Sequence, residues 1–264
     1  MKIISLVFNY DLDKVAESGR AWGYQGYKNK DFIFEYSAAS YATFAHHNPH
    51  LQYIIDTDDP DFLWKKLKHY DVQKSNIIIN DAANEIEEWK QHQYCFWPLA
   101  MHRKKYAKYN ESIIKLDNDL TCLKPIDDLL KFDGCLTWQY ERNVNEGKES
   151  WGERYACRKA LGTENFPEYN LGVLGISKNY LHVIDECIDY ADKLIAVDTS
   201  DVIAYKEAPG RKFKMWIVSE QTAMNYAIWK NHLPIMETAD YFIHHCYGFD
   251  VKKNVIESAE FLKK

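Results

Sequence analysis

Short apolar runs rich in strand-forming residues alternate along the chain with longer stretches whose apolar residues recur at helical spacing. The strand-like runs cover residues 3–8, 51–55, 77–79, 113–116, 135–138 and 171–176. The helical pattern covers residues 31–47, 61–70, 84–108 and 214–229. This alternation is typical of an α/β layer fold, so it predicts a central, mostly parallel sheet with helices packed on its faces.

The chain shows no internal repeat, no low-complexity tract and no linker rich in glycine and serine. The pattern therefore predicts one domain that spans residues 1–264. Residues 141–167 interrupt the regular alternation, because they are polar, contain glycine and lack a clear period. A segment of this length inside a compact domain is often functional, so we interpret it as an insertion or acceptor loop.

Composition and charge narrow the classes of function. The 264 residues are 46% hydrophobic and 27% charged, as in ordinary globular proteins. With 33 basic and 39 acidic residues, the formal net charge of −6 argues against nucleic acid as a partner. Aromatic residues reach 15%, and those outside the core would offer flat faces for stacking.

The six cysteines are scattered, without the close pairs of a metal knuckle or a CxxC redox site, so we expect reduced thiols. The first apolar run is too short for the core of a signal peptide. No stretch reaches the roughly 20 apolar residues that span a bilayer. We therefore expect no transmembrane segment and a cytoplasmic location, with membrane association only through partners.

Asp117 and Asp119 directly follow the strand-like run at 113–116. In an extended segment, residues two apart point to the same face, so both carboxylates would face one way and Asn118 the other. Ligands bind at the carboxyl ends of strands in open α/β sheets, and two hard oxygen donors suit Mg²⁺ or Mn²⁺. The alternative interpretation is a solvated acidic turn.

Two more pairs of polar residues carry candidate chemistry in the C-terminal half. His244 and His245 follow the strand-like segment 241–243, so their imidazoles would point to opposite sides, and either a ligand role or core packing fits. Glu220 and Gln221 lie on the apolar stripe of the helix predicted at 214–229. A buried carboxylate needs a partner, so this pair predicts either a structural network or a site.

Four separated motifs together resemble the metal-dependent glycosyltransferases of the GT-A fold. Residues 113–119, followed by 123–130, are similar to the strand, acid pair and following LKPLDxLL segment of glycosyltransferase family 32. Residues 169–173, 220–225 and 245–248 are similar to the FNxGV strand, the DQxxLN helix and the HxxG turn of family 8. The resemblance covers almost the whole chain and implies a single GT-A-type domain.

The resemblance implies a metal site and a set of donor contacts. Asp117 and Asp119, with His245 rather than His244, would hold Mn²⁺ or Mg²⁺ against the diphosphate of a nucleotide-sugar. Asn170 would lie beside the transferred sugar. The remaining donor-binding candidates are Asn9, Tyr10, Arg103, Asn118 and Gly248.

The activity that the resemblance implies is transfer of a sugar from a nucleotide-diphosphate sugar to a glycan or another hydroxyl acceptor. A UDP-sugar is the expected donor, with a GDP-sugar as the alternative. Both families retain the sugar's configuration, so Gln221, together with Glu220, would steady the developing oxocarbenium ion. In an inverting reaction Glu220 would be the general base. Trp138 and Trp151 are the aromatic residues expected to stack on the acceptor.

Three other functions fit parts of the pattern. Asp117, Asp119 and Thr121 match the DxDxT motif of haloacid-dehalogenase-like phosphohydrolases, although no second acid pair follows a later strand. A nucleotide-sugar pyrophosphorylase would need a glycine-rich loop directly after the first strand. Here residues 9–11, which contain no glycine, follow that strand, and the first glycine of the chain is Gly19. A non-catalytic module that binds nucleotide-sugars is the third alternative.

Overall fold

A computed structural model describes residues 1–8, 30–72, 76–90, 110–146, 151–197, 216–245 and 249–264. The strands among them are β1 (Lys2–Val7), β2 (Tyr53–Thr57), β3 (Ile77–Asp81), β4 (Ile113–Leu116), β5 (Leu120–Cys122), β6 (Cys135–Asn143), β7 (Pro167–Ile176), β8 (Ile235–Glu237) and β9 (Phe242–His244). The α-helices are α1 (Lys30–His47), α2 (Pro60–Leu67), α3 (Ala83–Lys90), α4 (Trp151–Leu161), α5 (His182–Ile195), α6 (Trp216–Lys230) and α7 (Phe249–Ser258).

Seven of these strands form one sheet in the order β3-β2-β1-β4-β7-β6-β8. Strand β7 runs antiparallel to its neighbours β4 and β6, and the other pairs in the sheet are parallel. The expected α/β architecture with a mostly parallel central sheet is confirmed. Strands β5 and β9 form a separate antiparallel ribbon.

The sheet separates two hydrophobic layers, because successive side chains of a strand point to opposite faces. In β1, Ile3 packs into one layer and Ile4 into the other. Helices α1, α2 and α7 cover the first face, and α4, α5 and α6 cover the second. Helix α1 is buried almost all round since it contacts α2, α7 and the β5 strand as well as the sheet. This explains why small and apolar residues occur on all sides of the helix and not along one stripe.

Local signals set several element boundaries. Helix α2 begins after Asp59, whose side chain accepts a hydrogen bond from the Phe62 amide at 3.0 Å, and Pro60 occupies its first turn. A 3₁₀ turn covers Leu129–Lys131. The helix expected over 84–108 covers Ala83–Lys90, and its remainder lies outside the described residues.

Residues 141–167 differ from the interpretation as a loop insertion. Strand β6 continues through Asn143, a 3₁₀ turn follows at Val144–Glu146, and helix α4 covers Trp151–Leu161. Ala156 and Cys157 of this helix are fully buried against α5 and its neighbours. Polar residues on the outer face of α4 conceal its period in the sequence, so the core-facing residues became apparent only in the structure.

Candidate active site

Asp117 and Asp119 lie in the turn between β4 and β5, at the carboxyl end of β4. The Asp117 amide donates to the Gly172 carbonyl of the adjacent strand β7 at 2.8 Å, which ties the turn to the sheet. Asp119 is buried, with 6% of its surface exposed, whereas Asp117 is partly exposed. The two carboxylates face the same region, as the spacing predicts.

His244, the last residue of β9, completes a cluster with these two carboxylates. Its Nε2 lies 3.2 Å from Asp119 Oδ1 and 3.5 Å from Asp117 Oδ2. Its Nδ1 lies 2.9 Å from Asn170 Oδ1, which also accepts from the Gly172 amide at 2.9 Å. Because Asn170 presents an acceptor, Nδ1 of the ring is the donor and Nε2 is the atom turned toward the aspartates.

Two residues shape the space that the His244 ring occupies. A Cβ atom on Gly172 would lie 2.4 Å from the ring, so only glycine at this position allows strand β7 to pass so closely. Trp138 packs on another side of the ring with centroids 5.3 Å apart, and its indole N–H donates to the Phe242 carbonyl at 2.9 Å. The ring is therefore held from both sides.

His245 points away from the carboxylates, which corrects the expectation that it is the third metal ligand. Its Nε2 lies 3.0 Å from Thr121 Oγ1, which is 2.8 Å from Ser258 Oγ of α7. Side chains alternate along an extended strand, and the pairing of Leu120 with His244 decides which imidazole faces the site. The structure thus brings His244, rather than His245, to Asp117 and Asp119.

Charge in the cluster is partly balanced by protein groups. The Lys115 ammonium pairs with Asp117 Oδ1 and lies 3.5 Å from the Leu171 carbonyl. Burial is the largest single effect on His244 and lowers its pKa. The attraction and hydrogen bond of Asp119, with the attraction of Asp117, outweigh burial, so the pKa of His244 lies above its ordinary value.

A row of amides and carboxylates extends from His244 toward helix α6. Asn170 Nδ2 donates to Glu141 Oε1 at 2.8 Å, and Gln221 Nε2 lies 3.3 Å from Glu141 Oε2. Gln221 Nε2 also donates to Glu168 Oε1 at 3.0 Å. Asn225, one turn further along α6, holds the helix against β7 through bonds to both backbone groups of Tyr169, at 3.1 and 2.9 Å. These contacts link Gln221 to His244 through Glu141 and Asn170.

Comparison with solved structures identifies the architecture. An active-site variant of LgtC aligns with a TM-score of 0.55 and 10% identity over 100% of this chain and 97% of that chain. The galactosyltransferase LgtC in complex with donor and acceptor sugar analogues aligns with a TM-score of 0.52 and 11% identity, over 100% and 97%. The chain has a GT-A-like glycosyltransferase fold.

The remaining comparisons do not assign the chain to a family. Mouse xyloside xylosyltransferase 1 in its apo form aligns with a TM-score of 0.48 and 12% identity, over 90% of this chain and 84% of that chain. No family model matches the sequence. No curated protein matches it either.

The cluster of Asp117, Asp119 and His244 fits a divalent cation. One donor atom from each residue lies within 4.8 Å of the other two. Two carboxylate oxygens and an imidazole nitrogen suit the harder divalent ions, Mn²⁺ among them. The close approach at Gly172 and the hydrogen bond from Nδ1 to Asn170 hold the imidazole in the orientation that a metal ligand needs.

The structure describes only some of the other candidate residues. Trp138 packs behind His244, and Asn118 Nδ2 is buried without a hydrogen-bond partner among the described residues. Trp151 begins helix α4 and Glu220 lies in α6, but their side chains are not among those described. Four donor-binding candidates lie outside the described residues: Asn9, Tyr10, Arg103 and Gly248.

Several residues of the site carried no distinct signal in the sequence. Lys115 is an ordinary polar position of a predicted strand, Glu141 begins the segment interpreted as an insertion, and Glu168 precedes the strand-like run at 171–176. Only their contacts associate these residues with Asp117 and Gln221. In the described part of the chain, no helix combines the length and apolar character needed to cross a bilayer.

Proposed function

We propose that this protein is a metal-dependent glycosyltransferase that moves a sugar from a nucleotide-diphosphate sugar to a hydroxyl acceptor. The observation that carries the proposal is the convergence of Asp117, Asp119 and His244 at the carboxyl end of β4, within a GT-A-like fold. Sites at this edge of an α/β sheet are where ligands bind.

Asp117, Asp119 and His244 would hold the divalent ion, Mn²⁺ or Mg²⁺. When bound, such an ion offsets negative charge on the leaving diphosphate as a Lewis acid. Two aspartates balance the charge of the ion, so diphosphate binding calls for a further cation. Lys115, which pairs with Asp117, is the described residue placed to supply it.

The donor sugar would lie along the row formed by Asn170 and Gln221. The bond between the anomeric carbon and the diphosphate oxygen breaks, and the acceptor oxygen forms the new bond on the same face, with retention. The acceptor proton passes to the departing diphosphate oxygen. Gln221 would stabilise the oxocarbenium character that develops on the sugar, with Glu220 as its neighbour on α6.

We infer a UDP-sugar as the donor, with a GDP-sugar as the alternative, and a glycan as the acceptor. Asn118, next to the acid pair, is a further proposed donor-binding residue of the β4–β5 turn. Trp138 and Trp151 remain proposals for the acceptor side.

A thermal-shift panel tests the proposal. UDP, GDP, UDP-glucose, UDP-galactose and GDP-mannose are each added with and without Mn²⁺. We expect one nucleotide family to raise the Tm only when Mn²⁺ is present, and the matching nucleotide-sugar to be hydrolysed slowly without an acceptor. Asp119→Asn should lose both effects because a ligand oxygen and its charge are removed.

Asp128→Asn is the matched control, since its side chain is 79% exposed and lies away from the cluster. It should behave like the unaltered protein. A metal-dependent Tm shift without any turnover would identify a binding module instead. Rapid hydrolysis of p-nitrophenyl phosphate with Mg²⁺, without any nucleotide effect, would identify a phosphohydrolase and refute the proposal.

A further inference from the structure

A buried ion pair lies directly behind Gln221. Glu168 is fully buried, and its Oε2 accepts from Arg142 Nε at 2.8 Å across the β6–β7 pairing. The other oxygen, Oε1, accepts from Gln221 Nε2 at 3.0 Å. A buried carboxylate is costly unless each of its oxygens has a hydrogen-bond partner. Arg142 and Gln221 each supply one of these partners, so Glu168 depends on both contacts.

A second carboxylate faces the same amide nitrogen. Glu141 is exposed, and its Oε2 lies 3.3 Å from Gln221 Nε2 while its Oε1 accepts from Asn170 at 2.8 Å. Ionised carboxylates only accept hydrogen bonds, and the –NH₂ end of a carboxamide only donates. A reversed Gln221 amide would therefore lose both bonds and place its carbonyl oxygen between two negative groups.

We propose that Glu168 and Glu141 are positioning residues that fix the orientation of the Gln221 carboxamide. With the amide nitrogen held by the two carboxylates, the carbonyl oxygen is the end of the amide that can face the donor sugar, which the proposed function places beside Gln221. This inference rests on that proposed function.

The orientation matters because the two ends of the amide act oppositely on a developing cation. The carbonyl oxygen carries partial negative charge and lone pairs, which stabilise positive charge at the anomeric carbon. The –NH₂ end carries partial positive charge and would raise the barrier. Arg142 contributes indirectly, since it holds Glu168 in place from behind.

The test measures donor hydrolysis by Glu141→Gln and Glu168→Gln in the full chain with Mn²⁺ and the nucleotide-sugar that the thermal-shift panel selects. A glutamine at either position can donate or accept, so the reversed Gln221 amide is penalised by one carboxylate instead of two. We expect kcat to fall by about 10- to 100-fold, as for other small misplacements of a catalytic group. The KM for the donor and the Mn²⁺-dependent Tm shift should stay the same.

Glu237→Gln is the matched control, because this exposed carboxylate accepts from the Tyr140 amide of β6 at 2.8 Å but is bonded to neither Gln221 nor Asn170. It should retain the original kcat. Glu168→Gln removes the buried charge that pairs with Arg142, so this variant could fail to fold. In that case the kcat of Glu141→Gln, at an exposed position, decides the test.

A double-mutant cycle separates positioning from a general structural effect. If Glu141 acts through Gln221, then Glu141→Gln should have no further effect on kcat in a Gln221→Ala background. An equal fall in both backgrounds, or an unchanged kcat in Glu141→Gln, would overturn the inference and leave the proposed function standing. Absence of turnover by the unaltered protein, for every donor in the panel, would overturn both.

Discussion

At the scale of single residues, Gly172 decides whether the His244 ring can lie beside the two aspartates. Strand β7 passes the ring so closely that a Cβ atom on Gly172 would meet it at 2.4 Å. The same stretch of strand supplies Asn170, whose oxygen binds both the ring and the Gly172 amide. The His244 ring can therefore keep this position only because Gly172 has no side chain where strand β7 passes it.

Gly172→Ala should abolish the Mn²⁺-dependent rise in Tm, because the new methyl group displaces the His244 ring from Asp119. Overpacking of this kind also costs about 1–3 kcal/mol of stability. Gly175→Ala is the control: its Cβ would meet Leu136 at 2.7 Å, within the hydrophobic layer. We expect a similar loss of stability in Gly175→Ala with the metal effect intact, measured by thermal shift with and without Mn²⁺. An unchanged metal effect in Gly172→Ala would contradict this account of the ring.

At the scale of elements, the β5–β9 ribbon assigns different tasks to two adjacent histidines. Leu120 pairs with His244 in this ribbon, which leaves His244 on the side of the aspartates. His245 is on the other side, bonded to Thr121 and through it to Ser258 of α7. The end of β9 therefore contributes His244 to the site, and the next residue, His245, anchors helix α7 on the other side.

His244→Ala should remove the Mn²⁺-dependent Tm shift, since a proposed ligand is lost. His245→Ala should keep that shift and instead lower the Tm without metal, because the bond to Thr121 contributes about 0.5–1.5 kcal/mol. Each variant is the control for the other, and isothermal titration with Mn²⁺ gives an independent measure. The opposite assignment of effects would mean that His245 is the ligand.

At the scale of the whole molecule, the site joins segments that are distant along the chain. Its residues come from the end of β4, from β6 and β7, from helix α6 and from β9, so the cluster exists only when the sheet is complete. A ligand that binds only the folded chain stabilises it by mass action, by about 2.7 kcal/mol at a hundred times its Kd.

Stabilisation by Mn²⁺ should therefore depend on pH. The pKa of His244 is raised in the metal-free protein by Asp119 and Asp117, against the opposing and largest single effect of burial. Metal binding requires the deprotonated Nε2, so the metal-induced Tm shift should shrink as the pH falls through that raised pKa. Mn²⁺ titrations from neutral to acidic pH check this, and a shift independent of pH would exclude His244 as a ligand.

Local patterns in the sequence determined the class of fold and much of the location of the site. Apolar runs at β1, β2 and β4 and helical periodicity in α1 and α6 were sufficient for an α/β layer fold, because burial on a sheet demands those periods. The position of Asp117 and Asp119 after β4 and of Gln221 on the inner stripe of α6 followed from the same local rules. The period of α4 was hidden by its polar outer face, so this helix was missed.

Only the tertiary structure decided between His244 and His245 and gave Gln221 its partners. Alternation along a strand says that two neighbours point apart, but the register with β5 chooses which of them faces the aspartates. The contacts of Gln221 with Glu141 and Glu168 join residues 80 and 53 positions apart. Such contacts arise from the packing of whole elements, and no local pattern encodes them.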